Sequence, residues 1–432
     1  MKLSGKYRYI LPLLALLIAG AILLYFILSN RELPQLPLDY LPGLANDKSE
    51  YDSDILAPGV LRQIEDQLMI DLETKSNAIG GEVTVTSAED LVSAWRKLPN
   101  IDLGDNIDEI MMAEQVLARD QLYLGQILAE TGNKRQINSW RDNFAKAFYD
   151  DSSGLYASSL DLDQDGLYRK TNPNWMTTLG YTRVLLLTYM LNPSHDLLNK
   201  LEELSATLFP LFQSGPPASL TGLGPNLNHP LFSKAVEDEL TEQVAVPLIS
   251  LESIDFWALY QLAGIDSNWE NIAQQWIDHV IEYMSDEVMP FPPEGWNLSQ
   301  GTAMPLISSD YQAETWRIVK TSLNLAEVGI NNPELEGFLL EELESGGLAS
   351  SYHLISGNSG ASSSNLALTA WTARLARAVD NKTLYSAAIG QMRRSYVSNQ
   401  SSSFFGAFAQ TDEEGRLQIN ALDQMLVLLA LQ

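Results

Sequence analysis

Asp310 stands where a side chain can do chemistry. It opens the stretch SSDYQAETWRIVKTSLNLAEVG (308–329), in which Trp316, Ile318, Val319, Leu323, Leu325 and Ala326 recur on one apolar face. That spacing predicts a helix over Ser309–Val328 with Asp310 at its mouth. An acid in that place accepts from unpaired backbone N–H groups and is favoured by the helix dipole, which makes it an N-cap; held rigidly beside a cleft, the same carboxylate serves as a base. Both readings stay open on the sequence.

A second set of acids, Asp108, Glu109, Glu114 and Asp120, falls on a helical pattern over Asp108–Thr131. Charges this dense on a helix are by default its solvated face, and only geometry promotes one of them. Cleaving a glycosidic bond takes two carboxyls, one protonated beside the leaving oxygen and one activating water or attacking carbon, so Asp310 and one acid of this helix would form such a pair. Trp175, Tyr181, Trp257, Trp296, Tyr311 and Trp316 offer flat apolar rings for the C–H faces of sugars, although any one of them fits a core equally well. The run DLDQDG (161–166) begins like a calcium loop, but its twelfth position is Asn172 rather than a bidentate glutamate, and it also suits a polar hairpin turn between LYASSL and LYRK.

Composition narrows the field. The chain has 55 acids against 27 basic residues and a net charge of −28, a surface that repels nucleic acid and suits neutral or amine-bearing partners. It has no cysteine, and its four histidines are not at ligand spacing, so no cofactor or metal is expected.

The elements that would position these residues are mostly helices. Apolar periodicity predicts them over Val60–Glu73, Ala88–Arg96, Asp108–Thr131, Lys134–Tyr149, Trp175–Leu191, Leu197–Phe212, Val246–Leu262, Trp269–Ser285, Ser309–Val328, Pro333–Glu344, Asn365–Val379, Lys382–Val397 and Ala421–Leu431. Strand patterns are few: Glu82–Thr86 and a pair at 154–158 and 166–169. About a dozen helices in hairpin-like pairs imply a mainly α toroid over 55–432. Ahead of it, Asn30–Asp54 is rich in proline and acid and reads as a linker that spaces the domain from what precedes it. Tyr9–Leu28 is uncharged and long enough to span a bilayer, with Lys2, Lys6 and Arg8 before it; residues 1–29 therefore read as a cytoplasmic stub and membrane anchor, with a cleaved signal peptide as the rival.

Four segments together resemble glycoside hydrolase family 8, across roughly Ala88–Val328: RDQLYLGQILAETGNKRQINSWRDNF, SSGLYASSLDLDQDGLY, IDFWALYQLAGIDSNWENIA and SSDYQAETWR. The resemblance implies an (α/α)6 toroid and an inverting mechanism on a β-linked polysaccharide. Carried over by position, Asp310 is the general base, and Trp316 and Arg317 match the W-R of the family's Y-D-A-x-R-x-x-W-R signature. Tyr311, Trp175 and Trp257 would join those two in binding substrate. The departures are specific. Ser309 and Ala313 stand where the signature has Tyr and Arg, and the family's acid falls at or beside Arg119, leaving Asp120 one position away, with Glu109 or Glu114 as substitutes. Thr178 stands near the place of its substrate-binding Asp.

Two functions follow as expectations. One is a membrane-anchored glycoside hydrolase facing out of the cytoplasm, with Asp310 as base and Asp120 as acid. The other is a catalytically silent glycan-binding or scaffold subunit of a polysaccharide synthesis and export complex. A lyase on the same toroid is a third, which the acidic surface disfavours for uronate substrates.

Overall fold

A computed structural model describes residues 33–37, 115–130, 132, 134–162, 168–213, 220–225, 243–286, 289–297, 302–304, 312–354, 356–360, 365–396, 408–411, 417–418 and 421–431. Tyr9–Leu28, the helices expected over Val60–Glu73 and Ala88–Arg96, the strand Glu82–Thr86, Asp108, Glu109, Glu114, Asp310 and Tyr311 lie outside them. No helix among the described residues is long and apolar enough to cross a membrane.

The helices come in antiparallel pairs. They are α1 (Ala118–Glu130) with α2 (Lys134–Phe148), α3 (Trp175–Leu191) with α4 (His195–Gln213), α5 (Phe256–Leu262) with α6 (Asn268–Asp286), α7 (Thr315–Ala326) with α8 (Pro333–Ser345), and α9 (Leu366–Ala378) with α10 (Lys382–Met392); α11 (Ala421–Leu431) closes the series. Their starts follow from short polar side chains. Asn174 accepts from the Met176 N–H, Asp255 from Ala258, Asn332 from Leu335 just before Pro333, Asn365 from Leu368 and Asn381 from Leu384, each satisfying a donor that the first turn leaves over. Asp380, at φ 57°, makes the tight turn between α9 and α10.

The first member of every pair is inner. α1, α3, α5, α7 and α9 each pack on the next, α9 packs on α11, and α11 returns to α1, so six helices close a ring. Burial separates inner from outer: α3 is apolar nearly all round and buries thirteen of its residues, whereas α8 buries only Leu335, Leu339 and Leu343, a single stripe. Each such leucine contributes about 1.5–3 kcal/mol of transfer energy. The expected toroid is therefore present in the described part, as six inner and five outer helices.

Between α1, α2 and α3 lies an aromatic stack. Phe144 is 5.0 Å from Trp140 and 5.1 Å from Tyr181, and Tyr181 is 4.5 Å from Tyr156. Gly125 of α1 lets the Trp140 ring approach, since a Cβ there would fall 2.4 Å from it.

Several expected helix segments are strands. Gln115–Leu117 (β1) pairs antiparallel with Ser159–Leu162 (β2), which pairs in turn with Tyr168–Lys170 (β3), as the hairpin reading of DLDQDG requires. Gln243–Ser250, expected as the start of a helix from Val246 onward, pairs with Leu220–Pro225 on one side and Gly295–Asn297 on the other; its β-branched residues fit a pleated surface, and the helix waits for the Asp255 cap. Gln312–Glu314 pairs with Ser351–His353, so α7 begins at Thr315 with Glu314 in the N-cap place, and Asp310 is not its cap.

Part of the expected linker lies against the domain. The Tyr189 hydroxyl, in the last turn of α3, donates to the Pro34 carbonyl at 3.0 Å, and Leu33 and Leu36 pack on the core. A Cβ on Gly264, just past α5, would sit 2.9 Å from Pro37 Cδ.

Candidate active site

A cleft of about 540 Å³ opens at one end of the ring. Every inner helix presents its beginning to it: Arg119 from α1, Met176 from α3, the Asp255 cap of α5, Trp316 from α7, the Asn365 cap of α9 and Leu422 from α11. Six first turns converging on one cavity bring unpaired N–H groups and positive helix ends towards it.

Asp120 lies in the first turn of α1 but faces inward, 1% exposed and absent from the cleft wall, with Arg119 Nε 3.1 Å from its Oδ1. Burial pushes its carboxyl up to about 6 against the opposing pull of Arg119. Arg119 itself is 55% exposed and lines the cleft. Asp423, in the first turn of α11, is likewise pushed up to about 6 by burial, although Gln410 Nε2 donates to it at 2.6 Å; the charge of Asp120 adds to the rise. Two buried carboxyls on adjacent helix starts thus share one acidic neighbourhood.

Trp316 is 39% exposed on the cleft wall, with the Arg317 guanidinium 4.8 Å from its ring centroid. Arg317 turns away from the cleft towards a cluster of acids: Nη1 is 3.2 Å from Glu252 Oε1 and from Ser250 Oγ, and Nε is 2.6 Å from Glu314 Oε2. Glu252 borders the cleft, and burial lifts it to about 7 despite Arg317; Glu294, behind it, accepts the Glu314 N–H and is raised further by burial. Trp175 and Trp257 belong to the core instead: Trp175 meets Phe212 edge-on at 5.5 Å, and Trp257 is fully buried under Arg183, at 5.0 Å. Neither lines the cleft. Thr178 is fully buried, accepting from the Tyr156 N–H and donating to the Asn174 carbonyl.

Sequence reasoning overlooked a polar network across the ring. Arg183 of α3 donates to both oxygens of Asp255, at 2.9 and 3.0 Å, and to Glu327 at 2.7 Å. Burial alone would raise Glu327, but Arg183 and Lys320 hold it below the ordinary carboxylate range. Tyr123, Lys320 and Trp371 complete this side of the cleft. A lone arginine within YTRVLLL was the available signal, because an unpaired charge is rarely buried in so apolar a helix.

Among the described residues no cluster of potential metal ligands occurs.

No family model matches the sequence, and no curated protein matches it. Solved structures do. A family 8 xylanase from Teredinibacter turnerae is 15% identical over 84% of this chain and 92% of its own, with a TM-score of 0.49. An endoglucanase from Komagataeibacter sucrofermentans is 12% identical over 68% of this chain and 92% of its own, with a TM-score of 0.45. The structure described as a novel alpha-amylase from Clostridium perfringens is 15% identical and covers 87% of this chain and 98% of its own, with a TM-score of 0.63. The chain resembles family 8 enzymes at low identity, and its fold is that of the Clostridium perfringens protein.

Proposed function

We propose that this chain is a glycoside hydrolase-like protein acting on a β-linked polysaccharide, by an inverting mechanism with Asp310 as base and Asp120 as acid. The observation that carries the reading is the cleft at the converging helix starts, which has an exposed tryptophan on its wall; the Asp120 carboxyl, raised by burial to about 6, lies behind that wall beside Arg119. In the proposed reaction the Asp120 carboxyl gives its proton to the leaving glycosidic oxygen as the C–O bond breaks. Asp310 takes a proton from the water that attacks the anomeric carbon from the opposite face. A carboxyl raised to about 6 is suited to the acid's part near neutral pH. The β linkage rests on the family 8 resemblance; the likeness to a protein described as an alpha-amylase makes an α-glucan the comparison substrate. The apolar run 9–28 would anchor the protein, with the domain outside the cytoplasm, beside a polysaccharide synthesis or export complex.

The test is reducing-end release by the full-length detergent-solubilised protein from neutral β-glucans, chitosan and starch, beside Asp310→Asn and Asp120→Asn. Loss of at least about a hundredfold in each variant supports the assignment. Undiminished release by Asp120→Asn removes it as the acid.

One observation favours a second reading: at the head of α1 it is Arg119, not Asp120, that reaches the cleft. A catalytically silent protein that binds glycan there would show saturable polymer binding and no reducing ends from any of the three substrates.

A further inference from the structure

Lys320 lies midway along α7, on the cleft wall. Its ammonium stands 4.4 Å from the Trp371 ring centroid, and no described residue hydrogen-bonds to it or forms an ion pair with it. Among the described residues the charged groups that face it have their direct partners elsewhere, although Glu327 keeps one oxygen without a hydrogen bond and attracts the ammonium from a distance. Glu327, which caps the end of its own helix, and Asp255, at the head of α5, are both held by Arg183 of α3; Arg374 of α9 is bound to Glu130 and to the Leu429 carbonyl. Burial pushes Lys320 down to about 8, against the pull of Glu327 and Asp255, because the ammonium makes no direct ion pair to offset its lost hydration.

The rest of the described wall is balanced: Arg119 and Arg183 line the cleft, and the two carboxylates there, Asp255 and Glu252, are tied to Arg183 and Arg317. Lys320 is thus the excess charge among the described lining residues, in a chain of net charge −28. At about 0.1 M salt, surface acids more than about 10 Å away are screened, so the nearby cations govern what the cleft accepts.

We propose that Lys320 anchors a subsite for an acidic sugar, pairing with the carboxylate of a hexuronic acid unit while the exposed ring of Trp316 covers a neighbouring sugar face. This rests on the carbohydrate reading of the cleft and narrows its substrate to a uronate-bearing polysaccharide, against the neutral or amine-bearing partners that bulk charge suggests. Chitosan, a polycation, would be disfavoured. A carboxylate at this place gives a desolvated ammonium a direct ion pair, which no described residue provides, without displacing an existing one.

The test is equilibrium binding of β-linked trisaccharides of equal length, one of glucose and one of glucuronic acid, to the full-length detergent-solubilised protein. The wild type is expected to prefer the acidic trimer by about tenfold at pH 7, the worth of one favourable charge contact. In Lys320→Gln the ratio falls to near one, and in Lys320→Arg it persists. The wild-type preference is full below about pH 7 and fades by about pH 9–10 as the ammonium deprotonates, since the glucuronate stays ionised throughout; this readout decides the matter if Lys320→Gln does not fold. Equal affinities in the wild type, a preference retained in Lys320→Gln, or one that is flat with pH overturns the subsite alone. Failure of the wild type to bind either trimer overturns it together with the carbohydrate reading.

Discussion

Arg374 of α9 and Glu130 at the end of α1 form a buried two-pronged ion pair, with Nη2 2.7 Å from Oε1 and Nη1 3.1 Å from Oε2. The same Nη1 donates to the Leu429 carbonyl of α11 at 2.7 Å, so one guanidinium joins three inner helices where the ring closes. Removing one partner leaves a buried charge alone, whereas removing both leaves none. Arg374→Ala is expected to lower unfolding free energy by about 3–5 kcal/mol, and the double variant Glu130→Leu/Arg374→Met by clearly less. Denaturant titration of the two proteins distinguishes this from simple loss of packing, for which the double variant would be the worse.

Acid should stabilise the domain over a defined window. Asp120 is raised to about 6 from its ordinary value of 3.8, so the folded state binds its proton more tightly than the unfolded chain does. Stability then rises as pH falls from about 7 to about 4, by a term on the order of 2–3 kcal/mol for this group, and Asp423 acts in the same direction. Asp120→Asn removes its share of the slope. A midpoint temperature that does not rise between pH 7 and pH 5 in the wild type would contradict the burial of both carboxyls.

Two of the three tryptophans expected to bind glycan, Trp316 and Trp257, should separate by their effects. Trp316, exposed on the cleft wall, should on replacement by alanine lose about tenfold in glycan affinity with little change in thermal midpoint. Trp257→Ala, in the core beneath Arg183, should cost about 3–5 kcal/mol of stability. Calorimetry and binding on both variants check the assignment, and a destabilised Trp316→Ala would place that ring in the core.

Gly125→Ala should also destabilise, by about 1–3 kcal/mol, because its methyl must displace the Trp140 ring from a stack held by Phe144 and Tyr181. Near-ultraviolet circular dichroism reports that stack directly. An unchanged spectrum and midpoint would mean that the ring moves freely.

Much of the toroid was legible because its helices carry local signals. α3 and α11 begin and end where their apolar runs do, and the other outer and inner helices differ from expectation by a residue or two at most ends. The strands at 115–117 and 312–314 and the strand residues from Val246 to Ser250 were read as the starts of the helices that follow them, because segments this short fit either period, and what decides between the two is pairing with distant segments. The site was less legible for the same reason. Lys320 and Glu252 look like single charges of a solvated face, and only ring closure places them on a cleft wall. Asp120 stood out by its neighbourhood in sequence, yet the roughly 100° of helix rotation that separates it from Arg119 decides which of the two the cleft receives.

Residues 33–37 give the domain an orientation. Pro34 is held by Tyr189 in the last turn of α3, and Pro37 lies against the residues just past α5, whereas the cleft opens at the helix starts. Leu33 therefore lies at the end of the ring away from the helix starts. Four residues separate it from the apolar run ending at Leu28, a reach of about 17 Å when fully extended. If that run lies in a bilayer, the domain rides low with its back to the lipid, and the cavity mouth points outward to polymer arriving from the far side.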